Sequence, residues 1–158
     1  MRPIKYALSI LFIFAIACSA CRKHNNTNIA PINADYFIFG TVGGFCPTVC
    51  AKYFKIQGNQ VFQSYVDSTD QIKYLSLPMP SDKYAIALPA LTNFPSWFTM
   101  HPNTNIGCSG CADMSYLHFE YKKNGLVYQW NIDYPYEAMP TEIKSYTDQV
   151  YNIITSLQ

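Results

Sequence analysis

The residues whose type and spacing could carry chemistry are cysteines. Cys46 and Cys50 sit in "FCPTVCAK", and Cys108 and Cys111 in "GCSGCA". Four such thiols can close bridges, hold a metal or exchange electrons. Zinc takes four thiolates tetrahedrally, and both the three-residue and the two-residue separation lie within the range of its half-sites. A redox pair needs a thiolate stabilised by a helix N-terminus or a nearby cation. Cys108 and Cys111 instead precede "ADMSYLHFEYK", which reads as a strand. Copper or another soft metal could draw on Met100 and His101 in the same loop region, but nearness in sequence alone does not make a soft-ligand site. In an oxidising compartment the same four residues persist as disulfides. Local closure, 46 with 50 and 108 with 111, contributes about 2 kcal/mol per bridge by loop entropy, and a bridge between the pairs about 4 kcal/mol. Bridges that staple the fold are the favoured reading, with zinc or copper as alternatives.

The compartment is legible at the front of the chain. Arg2 and Lys5 precede the apolar run "YALSILFIFAIA", and then come small residues and two cysteines, "ACSAC". A basic start, a short apolar stretch and a small-residue end make a secretory signal. The run is shorter than the roughly 20 apolar residues a membrane-spanning helix needs.

This stretch resembles the signal peptides of bacterial lipoproteins, which end in small residues and a cysteine that receives lipid. Cys21 follows "CSA" and Cys18 follows "AIA"; neither has the usual leucine at the third place before it. Lipidation of Cys21 discards Cys18 and leaves an even set of cysteines, whereas lipidation of Cys18 leaves Cys21 as an odd thiol. Cys21 is therefore the expected site and Cys18 the alternative. The resemblance implies a multiply acylated cysteine, and two or more chains anchor stably where one does not. It places the protein in the bacterial cell envelope, anchored by lipid, at the outer membrane.

Residues 1–20 are thus expected to be signal peptide, 21–34 the lipidated cysteine and a tether, and 35–158 a single domain. The tether "RKHNNTNIAPINA" is polar and asparagine-rich, with no apolar period. The formal charge of the whole chain is +1, and the basic signal and tether supply more than that. The domain has no cationic surplus for nucleic acid and no polybasic run for lipid head groups. Tyrosine leads the aromatic content with 13 residues. Such rings can line a binding surface, although aromatics also favour strands for packing reasons alone.

The domain reads as strands followed by a helix. "DYFIFGTV" (35–42) is a first strand. "AKYFKIQ" (51–57) and "QVFQSYV" (60–66) flank "GN", a hairpin signal. A fourth strand is expected over 71–77. Over 81–95, Tyr84, Ala87, Leu88 and Leu91 recur at helical spacing behind Ser81 as an N-cap, with Pro89 expected to kink or end the helix. "SYLHFEYKKNGLVYQWNID" alternates on both sides of Asn-Gly and predicts a second hairpin. Ile143, Tyr146, Val150, Ile153, Ile154 and Leu157 form one apolar stripe on a terminal helix opened by Pro140 and Thr141. The class is α+β: a mostly antiparallel sheet with the terminal helix packed on it. If the first strand runs antiparallel to its neighbours, both cysteine pairs fall at one end of the sheet. The order of signal, aromatic strand, paired cysteines, "CAD" before a hairpin and terminal helix resembles small lipoproteins of Gram-negative envelopes.

Little else suggests catalysis. His118 and Glu120 share a strand face that reads as the solvated side of a hairpin. Asp113 suits a turn, and Ser109 has no histidine partner in view. Glu120, Asp133, Glu137 and Glu142 have no spacing that specifies paired acid–base work. The expected role is therefore a non-catalytic binding or structural one. Expected partners are the membrane, through the anchor, and another envelope protein. A thiol or metal protein using Cys46, Cys50, Cys108 and Cys111 is the alternative, with zinc its one candidate cofactor besides copper.

Overall fold

The computed structural model describes residue 31 and residues 33–43, 50–108, 115–135 and 138–158. Cys18, Cys21, Cys46 and Cys111, and with them the signal, most of the tether, Ser109 and Asp113, lie outside these described residues.

Seven strands form one sheet: β1 (Tyr36–Val42), β2 (Ala51–Gln57), β3 (Gln60–Val66), β4 (Ile72–Tyr74), β5 (Asn105–Ile106), β6 (Tyr116–Lys123) and β7 (Leu126–Asp133). Their spatial order is β4-β3-β2-β1-β6-β7-β5. β1 lies between β2 and β6 and is antiparallel to both, with Phe39 opposite Phe54 on one side and Phe119 on the other. β5 is the exception, a two-residue edge strand parallel to β7. The helices are α1 (Ser81–Thr92), α2 (Ser96–Met100) and α3 (Thr141–Leu157). The fold is α+β, with α3 across the sheet.

Local chemistry explains most boundaries. The β6–β7 turn places Asn124 at φ 54° and Gly125 at φ 79°, the backbone twist that a two-residue hairpin requires. The fourth strand is shorter than its pattern: only Ile72–Tyr74 pair with β3, and Leu75 and Leu77 are exposed. The first residue outside α1 is Pro80, not Ser81, and no side chain caps the end. Pro89 does not end α1, which runs on to Thr92; its carbonyl accepts the Asn93 N–H at 3.0 Å.

One face of the sheet packs against the helices. Phe37, Phe39, Phe54, Leu117, Phe119, Tyr121, Trp130 and Ile132 meet the buried stripe of α3, joined by Thr147, which the apolar pattern leaves out. α1 lies antiparallel beside α3. The Tyr146 hydroxyl donates to the Ala90 carbonyl, and Lys83 Nζ donates to the Ser156 carbonyl at 2.9 Å. Phe94, in the link between α1 and α2, sits at the centre. Its ring centroid is 5.7 Å from Phe37, 4.9 Å from Phe98, 5.3 Å from Trp130 and 5.8 Å from Tyr146. Most of these contacts are edge-on, the geometry ring quadrupoles favour.

Two substitutions test this core. Val150 is fully buried, so Val150→Asp places an unpaired charge there and is expected to cost several kcal/mol. Phe94→Ala removes the ring that links both helices to the sheet, with an expected loss of about 3–5 kcal/mol. Urea unfolding of both variants measures these losses; an unchanged midpoint would make the helical layer peripheral.

Candidate functional site

The opposite face of the sheet carries the polar chemistry. Among the described residues no helix covers it. Alternation brings Tyr36, Ile38, Tyr53, Lys55, Tyr74, Tyr116, His118, Glu120 and Asn131 to this side. Ile38, Ala51 and Tyr53 form a small buried cluster there, with Tyr36, Val42, Ile72 and Tyr74 packed against it. Lys55 Nζ lies 5.0 Å from the Phe62 ring centre and 4.9 Å from that of Tyr74, within cation–π range.

His118 and Glu120 are not simply solvated. Their side chains are 14% and 23% exposed, with His118 Nε2 3.8 Å from Glu120 Oε2. His118 Nδ1 is 2.7 Å from Asn131 Oδ1, and Asn131 Nδ2 donates to Asn105 Oδ1 at 3.0 Å. Glu120 Oε1 accepts from the Tyr36 hydroxyl at 2.8 Å. A continuous chain thus runs Tyr36–Glu120–His118–Asn131–Asn105 across β1, β6, β7 and β5. The His118 contact, with help from the Tyr36 hydroxyl, holds the Glu120 carboxyl below the usual glutamate value. Burial, then the bond to Glu120, pushes the Tyr36 hydroxyl up to about 12. Both shifts keep the Glu120 carboxyl ionised and the Tyr36 hydroxyl protonated at neutral pH, so that each holds its place in the bond between them.

Gly40 shapes the middle of this face. A Cβ there would collide with the Lys52 carbonyl and with Tyr53. The missing side chain lets the Tyr53 ring lie over β1 and reach His118, centroid to centroid 5.2 Å. Burial raises the Tyr53 and Tyr74 hydroxyls well above the ordinary tyrosine value.

Cys50 and Cys108, the described cysteines of the two motifs, lie at one end of the sheet. Ala51, Val42, Tyr116 and Asp133 form one row across β2, β1, β6 and β7. Cys50 immediately precedes Ala51, and its carbonyl accepts from the Gly43 N–H at 3.2 Å. On the far side Cys108 follows β5, and its N–H donates to Asp133 Oδ2. Gly107, at φ 79°, lies so close to the Asp133 carboxylate that a Cβ could not fit. Asp133 is 2% exposed, and its Oδ1 has no hydrogen-bond partner among the described residues. Cys50 and Cys108 are both disulfide-bonded. Four strand spacings, roughly 19 Å, separate β2 from β5, so Cys50 and Cys108 do not bridge each other.

Other candidates fall elsewhere. The His101 ring stacks on Trp97 with centroids 4.1 Å apart, and its Nδ1 is engaged with the Trp97 carbonyl. Its own carbonyl accepts from Trp130 Nε1, three residues back along β7 from Asp133 and so about 10 Å from the cysteine end. Met100 is 65% exposed. Among the described residues no group of three His, Cys, Asp or Glu side chains could hold a metal, and no helix is long and apolar enough to cross a membrane. Between β1 and α3 a shallow cleft of about 640 Å³ is lined by Thr41, Gly43, Cys50, Tyr151 and Gln158. Beside it Tyr151 stacks on Tyr134 at 4.9 Å. Sequence reasoning missed the Tyr36–Glu120–His118–Asn131 chain. Its one visible signal was the placement of histidine, glutamate and asparagine on alternate positions of a single hairpin.

Comparison with protein-family models, curated proteins and solved structures finds no match.

The polar face makes two tests available. Because the folded Glu120 carboxyl titrates below its unfolded value, its stabilisation is complete above the ordinary glutamate value. It is lost as pH falls through the depressed one. The stability difference between the native protein and Glu120→Gln should therefore shrink towards zero on acidification; a difference independent of pH would contradict the linkage. Gly40→Ala is expected to cost about 1–3 kcal/mol by overpacking and to shift the His118 ring proton resonances as Tyr53 is displaced. Unmoved resonances would show that Tyr53 does not depend on the gap.

Proposed function

We propose that this protein is a lipid-anchored component of the bacterial cell envelope, with a non-catalytic binding or structural role. The observation that carries the binding reading is the sheet face that no helix covers among the described residues. It presents tyrosines, amides, an imidazole and a carboxylate held together by mutual contacts, with a lysine against two aromatic rings. Fixed aromatic and polar groups of this kind give contact area and directional bonds at little entropic cost. The anchor rests on the signal and on Cys21, with Cys18 as the alternative acceptor.

The cysteines staple the loops at the end of the sheet, by bridges within each motif, Cys46 with Cys50 and Cys108 with Cys111. The roughly 19 Å between the β2 and β5 ends supports local closure. Bridged Cys50 and Cys108 support stapling over a four-thiolate metal site.

Replacing Cys21 with serine is expected to abolish lipidation and release the protein from the membrane fraction. Continued lipidation of Cys21→Ser, together with its loss in Cys18→Ser, would move the anchor to Cys18. For the binding face, Gln129→Arg sits beside Glu120 in the β6–β7 register and is expected to reduce recovery of a crosslinked envelope partner severalfold. Thr155→Arg, exposed on the helical side, should not. Equal recovery from both variants would place the binding surface elsewhere.

A further inference from the structure

The chain joins the domain at the end of the sheet opposite the cysteines. Ala34 N–H donates to the Pro31 carbonyl at 2.8 Å, and Asp35 N–H donates to the Lys122 carbonyl at 2.7 Å. The start of β1 is therefore fastened to β6 next to the β6–β7 turn. That turn carries unusual side chains. Leu126 is 60% exposed and Val127 is 47% exposed, and neither belongs to a core cluster. Lys123 pairs with Leu126, and Lys122 with Val127. Strand alternation sends the two pairs to opposite faces, so the tip shows an apolar residue and a lysine on each side. The β2–β3 turn, by contrast, is Gly58–Asn59 flanked by Gln57 and Gln60.

We infer that the β6–β7 tip is a membrane-contact surface, with Leu126 and Val127 entering the interfacial layer of the bilayer and Lys122 set against anionic head groups. The inference rests on the lipid-anchor reading. The chain between Cys21 and Pro31 spans at most about 35 Å however it is arranged. The tip lies within about 10 Å of Asp35 along β6, so the anchor holds it close to the lipid surface. Two apolar side chains are too few to bind a bilayer alone. A tether converts their insertion into an intramolecular step at high effective concentration, which makes a small contact sufficient. Apolar groups beside a lysine match the chemistry of an interface with anionic lipid. The contact would orient β1 away from the bilayer and carry the cysteine end some 20 Å outward.

The test uses the lipidated mature protein reconstituted in vesicles of phosphatidylethanolamine and phosphatidylglycerol, with and without bromine-labelled acyl chains. Leu126→Trp adds a fluorophore at the tip, and Tyr151→Trp adds one at the opposite end; each is read as the difference from the unsubstituted protein. The added Leu126→Trp emission should shift to shorter wavelength on reconstitution and be quenched by brominated lipid, while that of Tyr151→Trp does neither. Flotation of the same samples separates the two claims. A protein that floats while the tip emission stays water-like and unquenched overturns this inference alone. A protein that does not float overturns the anchor and this inference with it.

Discussion

The rest of the structure depends on β1 being hydrogen-bonded along both edges. Its antiparallel register with β2 and β6 sends the chain away from the tether on one strand and returns it on the two neighbours. The loops that carry the cysteines must then leave from the end where β1 finishes. The N-terminal connection and the β6–β7 turn must occupy the other. Both faces follow from the same register. Phe37 and Phe39 point into the helical layer, whereas Gly40 falls opposite His118 and opens the gap that Tyr53 crosses. A one-residue slip would exchange the two faces entirely.

The helical layer is held by rings more than by caps. α1 and α3 both begin after proline, with no side-chain cap. Their positions are set instead by Phe94, Phe98 and Tyr146 against Phe119 and Trp130. This leaves the polar face free of any structural duty to cover the core. Its hydrogen-bonded groups serve to hold one another still, and that is the property a recognition surface needs.

The sequence made most of the framework legible. Period-two alternation around Asn124–Gly125 fixes the second hairpin, and the 3.6-residue stripe from Ile143 to Leu157 fixes α3. These signals are strong because each residue's burial depends on its neighbours in the same element. The weaker readings failed where distant contacts decide. Phe94 sits in a proline-flanked link and has no periodicity to mark it. β5 has two residues and exists only because β7 offers an edge. Pro89 is tolerated because α1 is held by packing against α3 and not by its own hydrogen bonds alone. The half-buried state of His118 and Glu120 was hidden for the same reason: it comes from Tyr53 and Tyr36, on strands far away in sequence.

The central proposal is that the chain matures as a lipidated protein whose remaining cysteines are bridges and not ligands. Intact mass measurement of the protein extracted from membranes, alkylated before and after reduction, tests this most directly. The account predicts a chain that begins at an acylated Cys21, gains no alkyl groups before reduction and gains them at Cys46, Cys50, Cys108 and Cys111 afterwards. An unacylated chain, or thiols that alkylate without reductant once a bound metal is chelated, would contradict it.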